Sequence, residues 1–586
     1  MRDGSRRDTL LAVLDHTVTA MGGRLLKKWL EYPLISPVAI VARQDAVEEL
    51  VASPLVRQEL RQTLAEIYDF ERILTRIEVG TANARDLTAL RASLAVLPSI
   101  KTLLEPCRAK RLAAIGLALA THGDVRDLIT AAIVDNPPLA VREGGMIRAG
   151  YDLELDELRA LASDSRRFVQ DLEAREREAT GIKSLKVGYN KVFGYYIEIT
   201  NANAANVPAA YTRKQTLANA ERYITPELKE FEIKILGAQE KIVAIEYHLF
   251  NQVREYVKER IRDIQQTARL VAELDALASL AEAAARGGYV RPALNTAREI
   301  VIRDGRHPVV EKILKRELFV PNDTALNHRD CEIMIITGPN MAGKSTYMRQ
   351  VALLVILAQV GSFIPAREAS ICPVDRIFTR VGASDDLASG QSTFMVEMNE
   401  VAHILRHATA DSLIVLDEIG RGTSTFDGMS IARAVIEYIK DKVRAKTLFA
   451  THYHELTELE HTSKRLKNYS VAVKERGNDI VFLRRIVPGG ADKSYGIHVA
   501  QLAGLPKKVV ERAQDILAEL EQGQRRVRAA NGEAAATAVA ESQPSLFASA
   551  LADELAALDI MTITPLEALN ILYRLQTQAK QEAGKS

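Results

Sequence analysis

A chain of 586 residues with 77 basic and 76 acidic side chains is too long for one core and too balanced, at a formal net charge of +1, to present a global basic field. It is expected to hold about three or four domains, and any nucleic-acid surface on it must be local. Three cysteines (Cys107, Cys331, Cys372) without paired or metal-ligand spacing fit a reducing cytoplasm. No apolar run approaches a membrane span, and the basic N-terminus lacks the apolar core of a signal sequence.

Residues 9–135 are rich in Leu, Ala and Arg at helical spacing and predict several packed helices, within a helical region over 1–150. A long charged helix follows, within 151–180. The pattern then changes. The run from Leu185 to Thr200 is aromatic and β-branched with strand alternation, and helical periodicity returns over 226–288. The expected outcome is a lever made of long helices with a small β tip inserted at 181–225. That tip carries Lys183, Lys186, Lys191, Arg213, Lys214 and Arg222 against only Glu198 and Glu221, interleaved with Asn190 and several tyrosines. Such a local basic excess reads as a phosphate-backbone contact surface that positions double-stranded DNA without reading its sequence. A solvated sheet face is the other reading of the same lysines.

From 289 onward the pattern is α/β, with strand-like runs near 299–303, 332–337, 376–381, 412–417, 446–450 and 480–483. Between an apolar strand and a helix lies Gly338-Pro339-Asn340-Met341-Ala342-Gly343-Lys344-Ser345-Thr346, which satisfies every fixed position of the phosphate-binding loop G-x-x-x-x-G-K-[ST]. Its glycines let backbone N–H groups fold around phosphates, and the helix N-terminus adds partial positive charge. Lys344 is placed to reach the β- and γ-phosphates, and Ser345 to hold Mg²⁺. A second apolar strand ends in Asp417-Glu418, a pairing suited to Mg²⁺ coordination by Asp417 and water activation by Glu418. The fold class expected is therefore multidomain, α and α/β, with a P-loop nucleotide-binding domain over 289–521. Residues 494–521 have helix-turn-helix form, with Gly504 and Pro506 at the turn. Their second helix presents Val509, Val510, Ala513, Ile516 and Leu517, an apolar face for subunit packing or, in the rival reading, a groove-binding element. Residues 522–547 read as a flexible linker and 548–586 as a helical tail.

Four motifs carry a family resemblance: Thr337–Gln350 around the phosphate loop, Asp385–Met398, Asp417–Gly428, and Ala450-Thr-His452-Tyr453. In this order they closely resemble the MutS family of DNA mismatch-repair ATPases, and the likeness extends over nearly all of the chain. What the resemblance implies is an ABC-type, weak and DNA-dependent ATPase whose ATP site is shared between two protomers. In it Asn340 contacts nucleotide, Ser392 caps a helix and points at the γ-phosphate of the partner's ATP, and His452 senses the γ-phosphate. Phe319 is the candidate for stacking on adenine, a core position being the equal alternative. The implied cofactors are ATP and Mg²⁺. The implied partners are double-stranded DNA, a second copy joined through the helix-turn-helix, higher oligomers through the tail, and a MutL-type repair protein. The implied location is the cytoplasm, at the nucleoid. Gln543-Pro-Ser-Leu546-Phe547 resembles the Q-x-x-L-F peptide that docks on the replication sliding clamp, with Pro544 replacing the commoner leucine. The departure is at the front. The family ordinarily begins with mismatch-recognition and connector domains, whereas this sequence starts within the helical core. None of its 13 phenylalanines is followed two positions later by Glu, so the family's mismatch-wedging Phe-x-Glu is not found. A fragment, a misplaced gene start and a natural short paralogue each fit this departure. A junction-binding recombination ATPase and a non-enzymatic ATP-binding scaffold are the rival functions.

Overall fold

The protein is described by a computed structural model over residues 8–190, 194–314, 318–339, 342–381, 392–476, 479–490 and 495–519. The expectations for Lys191, Asn340, Met341, the first half of the second motif (385–391), Ser494, the linker at 522–547 with Gln543, Leu546 and Phe547, and the tail at 548–586 lie outside the described residues. Two compact units divide after Tyr495.

The first unit opens with a helical core: α1 (Leu10–Leu14), α2 (Ala20–Glu31), α3 (Pro37–Ala52), α4 (Pro54–Leu64), α5 (Phe70–Val79), α6 (Ala84–Leu104), α7 (Lys110–Ala118) and α8 (Gly123–Ala132). Their starts are written in the sequence. Thr9, Thr19, Asp69 and Asn83 each cap a helix with a side-chain oxygen, and Pro37 and Pro54 occupy first-turn positions where no N–H is needed. One helix, α6, reaches the length and mean hydropathy of a membrane span, although Arg91 and Lys101 interrupt its apolar residues. Its Leu87, Leu90, Leu94 and Leu97 are buried among the other core helices, as befits a core helix.

The lever follows as α9 (Leu153–Thr180), α10 (Pro226–Glu259) and α11 (Ile261–Gly287). The helical stretch expected over 226–288 is thus two helices, broken at Arg260. The Arg260 guanidinium lies 3.5 Å over the Tyr256 ring and bonds Asp124 Oδ2 at 2.9 Å, which holds the break in place. Only α10 runs beside α9. Most of α11 is buried from Ile264 to Ala284, so it is the central strut of the helical core rather than part of the lever. Its Asp275 is fully buried and is satisfied by Thr19 Oγ1 (2.6 Å), Thr19 N (2.8 Å) and Val18 N (3.1 Å). Gly22 lies so close that a Cβ there would come within 2.2 Å of the Asp275 carboxylate.

Between α9 and α10 sits the tip, an antiparallel sheet of β1 (Lys186–Asn190), β2 (Gly194–Thr200), β3 (Thr212–Thr216) and β4 (Ala220–Ile224) in the order β1-β2-β4-β3. Alternation sorts its two faces. Ile197, Ile199 and Tyr223 pack inward with Leu172, Ile182, Leu185 and Leu228, while Lys186, Glu198 and Arg222 form a cross-strand row on the other face. The last turns of α9 grip the tip's base: Val187 N donates to Glu173 at 2.9 Å, Arg177 Nε to Leu185 O at 2.7 Å, and the Tyr211 hydroxyl to Glu176 at 2.5 Å.

The α/β region holds two sheets. A small one has the order β5 (Ala293–Leu294), β9 (Glu368–Ile371), β6 (Ile300–Gly305), β7 (Asn322–Leu326). The large one has the order β10 (Ile377–Val381), β11 (Leu413–Asp417), β12 (Lys446–Ala450), β8 (Ile333–Thr337), β13 (Leu466–Arg476), β14 (Asp479–Pro488). Its first five strands are parallel and β14 is antiparallel. The continuous apolar runs at β8 and β11 are explained by burial on both faces. Met334, Ile336, Leu413 and Val415 face one core with α13 (Lys344–Val360), and Ile333, Ile335, Ile414 and Leu416 face another with α14 (Thr393–His407) and α15 (Thr425–Tyr438). A short α12 (Pro308–Ile313) joins the small sheet.

The second unit, taken by itself, begins with α16 (Gly496–Leu502), turns at Gly504 (φ +87°) and is helical again over 507–519. Leu505, Val509 and Ile516 are exposed on it.

Candidate nucleotide site and nucleic-acid interface

Three parallel strands end side by side at one edge of the large sheet, and the sequence-predicted residues sit at those ends. Asp417, the last residue of β11, is level with Ala450 of β12, and β12 in turn pairs with β8, whose last residue is Thr337. The phosphate loop leaves β8, the acid pair leaves β11 and His452 follows β12. Residues far apart in the chain are thereby brought to one edge by register alone.

The loop turns at Gly338 (φ +128°) and Gly343 (φ +101°), a backbone region that side chains oppose. Gly343 caps α13, so Lys344, Ser345 and Thr346 open the helix and their N–H groups face its positive end. Pro339 and Ala342 are buried within the loop. The Lys344 side chain is 1% exposed. Its ammonium donates to the Gly338 carbonyl and stands 3.9 Å from Glu418 Oε1. Burial pushes the Lys344 pKa down to about 8, against the pull of the Glu418 and Asp417 charges.

Glu418 takes φ +60°, a left-handed conformation that costs a non-glycine residue of the order of 1 kcal/mol. Its N–H is held by the Ala450 carbonyl at 3.0 Å. The carboxylate is held at both oxygens: Oε2 lies 2.6 Å from Arg421 Nη1, and Oε1 bonds His452 Nε2. Arg421 Nη2 also lies 2.8 Å from His452 Nε2. Burial alone would raise the Glu418 carboxyl, but the His452 hydrogen bond and the His452, Arg421 and Lys344 charges together hold it below the usual carboxylate range. The next turn is tight. A Cβ on Gly428 would sit 2.3 Å from the Gly420 carbonyl, so both positions need glycine. Gly420 N donates to Glu397 Oε1 of α14 at 2.6 Å, and Glu397 is itself paired with the buried Arg380 at 3.3 Å.

Asp417 bears on the metal question. It is 8% exposed, and its Oδ1 is buried with no hydrogen-bond partner among the described residues. An orphaned buried carboxylate oxygen is costly unless a cation meets it. Asp417 with the Ser345 hydroxyl is the hard oxygen donor set that Mg²⁺ prefers, so the residues present fit that ion.

Two further predicted contributors are Ser392 and Phe319. Ser392 caps α14, its hydroxyl accepting from Met395 N at 3.2 Å, as its sequence context as a helix cap foretold. Phe319 is half-buried in the segment before β7, behind the fully exposed Leu318. Sequence reasoning missed Arg421, Arg380 and Glu397. Arg421 had a signal, since it lies three residues after Glu418 within a motif already singled out. Glu397 likewise lies within the second motif, whereas its partner Arg380 stands on a strand outside the motifs and left no local trace.

In the tip, Lys183 and Lys186 are exposed. Arg213 is exposed and pairs with Glu221 at 3.1 Å. Arg222 is otherwise engaged: its guanidinium bonds Glu198 Oε2 at 2.9 Å and Gln215 Oε1 at 3.0 Å and lies 4.1 Å over the Tyr196 ring. It organises the outer face, while Lys183, Lys186, Arg213 and Lys214 are the exposed cations among the described residues. Asn190 ends β1 and Lys214 lies at a bulge in β3, also an exposed position.

Family models match the chain in two long stretches and a short one: MutS domain III over residues 1–281, MutS domain V over 334–521, and the DNA mismatch repair protein MutS C-terminal region over 543–578. A protein named DNA mismatch repair protein MutS from Symbiobacterium thermophilum is 55% identical over 588 residues, covering 99% of this chain and 67% of the relative. Proteins of the same name from Acetivibrio thermocellus (54% identical, 99% of this chain, 68% of the relative) and Methanosarcina barkeri (51%, 98% and 67%) are comparably similar. The chain spans about two thirds of the length of these relatives.

Proposed function

The chain belongs to the MutS family of DNA mismatch-repair proteins, and from that premise we propose that it is an ATP-hydrolysing, dimeric clamp on double-stranded DNA. The observation that carries the proposal is the gathering of Lys344, Asp417, Glu418 and His452 at one edge of a parallel sheet whose central loop is built for phosphate. The backbone from Gly338 to Thr346 cradles the triphosphate, with Asn340 contacting nucleotide and Phe319 beside the base. Phosphate oxygens compete for the Lys344 ammonium with the Gly338 carbonyl. Ser345 and Asp417 would hold Mg²⁺, which when bound neutralises charge on the phosphates. Glu418 orients and deprotonates the attacking water, and to do so one of its oxygens has to leave Arg421 or His452. His452 then turns toward the γ-phosphate. Ser392 aims the N-terminus of α14 at the γ-phosphate held by a partner protomer.

At the other end, Lys183, Lys186, Lys191, Arg213 and Lys214 contact DNA phosphates, with Asn190 as a neutral donor and Arg222 bracing the face. The helix-turn-helix joins two protomers, and the tail adds higher association. A MutL-type protein and, through Gln543, Leu546 and Phe547, the replication sliding clamp are the further partners. The place of action is the nucleoid, where the substrate is. Mismatch reading belongs to residues other than those that grip the backbone, and the residues of this chain supply no Phe-x-Glu wedge.

Equilibrium binding to matched and mismatched duplexes, with and without ATP, tests the proposal. The expected result is equal affinity for the two duplexes, weakened by salt and altered by ATP. Failure to bind either duplex under all conditions would overturn the clamp reading. A clear preference for the mismatch would assign lesion reading to some other element of this chain.

A further inference from the structure

We propose that His403 and His407 form a binding site for a borderline first-row divalent cation, such as Zn²⁺, Ni²⁺ or Cu²⁺, on the outer face of α14. The two histidines are four residues apart on one helix, so their rings project from the same face one turn apart. Both are exposed, and their ring centroids are 4.3 Å apart. The decisive detail is the tautomer. His407 Nδ1 lies 2.8 Å from the His403 carbonyl, an acceptor, so that nitrogen carries the proton and Nε2 keeps its lone pair. A ring N–H donated to a backbone carbonyl is the usual second contact of a metal-bound histidine, and it fixes the ring for coordination. The His403 ring is steadied on its other side by an edge contact with Phe378 at 6.2 Å.

The setting favours a cation. His407 is the last residue of α14, where the unpaired carbonyls give the helix its negative end. Arg406, the neighbouring cation, projects about 100° round the helix from His407. Glu400, one turn before His403, is held by Arg380 at 3.1 Å, so the donors offered are two imidazoles, with water completing the shell. Imidazole selects Zn²⁺, Ni²⁺ and Cu²⁺ over Mg²⁺, which keeps this site distinct from the oxygen donors of Asp417 and Ser345. A metal bridging the two rings staples the last turn of the helix whose first turn is capped by Ser392 and whose Glu397 holds Gly420.

The test is calorimetric titration of the full chain with Zn²⁺ in saturating Mg²⁺ and ADP, comparing the parent with His403→Asn, His407→Asn and the double variant. The parent is expected to take up one equivalent of Zn²⁺ that the double variant lacks. Each single variant, left with one ring, weakens that equivalent by about tenfold or more through loss of chelation. Hydrogen exchange over residues 401–407 slows with Zn²⁺ in the parent alone, which separates this site from Zn²⁺ bound at other histidines. Identical stoichiometry and affinity in parent and double variant, or unchanged exchange over 401–407, would overturn the proposal. Because both side chains are exposed, the variants are expected to melt with the parent in the absence of Zn²⁺.

Discussion

The nucleotide end and the tip handle charge in opposite ways. At the nucleotide end, Lys344 and Asp417 are buried, Glu418 is half-buried, and the cations close on the same few acceptors: Lys344 on Gly338 and Glu418, Arg421 on Glu418 and His452. At the tip, Lys183 and Lys186 stand in solvent, and Arg222, which is mostly buried, has been given to Glu198 and Tyr196. Buried charges interact strongly and only in one geometry, which suits chemistry on a phosphate. Exposed charges interact weakly, additively and under salt screening, which suits a grip on any duplex.

That contrast fixes what substitution does in each region. The largest effect is expected from Lys344→Ala: nucleotide affinity measured by fluorescence titration falls about a hundredfold or more, as loss of a charge-assisted phosphate contact in a dry site implies. A loss of only a few-fold would put this lysine in the same class as the tip lysines and break the comparison. Next comes the tip. Lys183→Ala and Lys186→Ala together are expected to weaken duplex binding and to reduce the magnitude of the slope of log affinity against log salt by roughly one per phosphate contact removed. Basal ATP turnover stays unchanged; an unaltered salt slope would return these lysines to a solvated face.

Smaller still is Arg222→Ala, which removes an ion pair and a stacked ring contact on the tip. A loss of about 1 kcal/mol in stability is expected by denaturant melting, with a weaker effect on the salt slope than either lysine gives. The last prediction concerns pH. Burial lowers the pKa of His16 and His122 and pushes that of His307, which caps α12, down to about 4. Folding therefore prefers the neutral rings. The stability they contribute is complete above the unfolded value near 6.5 and is lost as pH falls from there toward 4, because the unfolded chain takes up the protons first. Melting temperature against pH should decline over that window. His307→Asn, which can still cap the helix, should shallow the decline.

Much of this was legible in the sequence where one local rule decides. The phosphate loop, the acid pair, the helix caps and the strand alternation of the tip each depend on residues within a few positions of one another. The six expected strands all exist, but β5, β7, β9 and β13 were not foreseen. β13 begins Leu466-Lys-Asn-Tyr and is made a strand by pairing with β8 and β14 rather than by its own apolar content. The break at Arg260 likewise depends on Asp124, more than a hundred residues away, and α11 reads as a continuation of the lever until its burial is known. The Arg421 clasp on Glu418 and the Glu397 tie to Gly420 are tertiary facts that spacing alone does not announce.

The central claim is that Glu418 performs chemistry rather than merely closing a charged cluster. Single-turnover hydrolysis of ATP by Glu418→Gln, with ATP affinity measured on the same protein, tests it most directly. The account predicts ATP bound about as tightly as by the parent and cleaved at least about a hundredfold more slowly, since loss of a positioned general base costs that order in rate. Hydrolysis at the parent's rate, with ATP bound equally well, would contradict it.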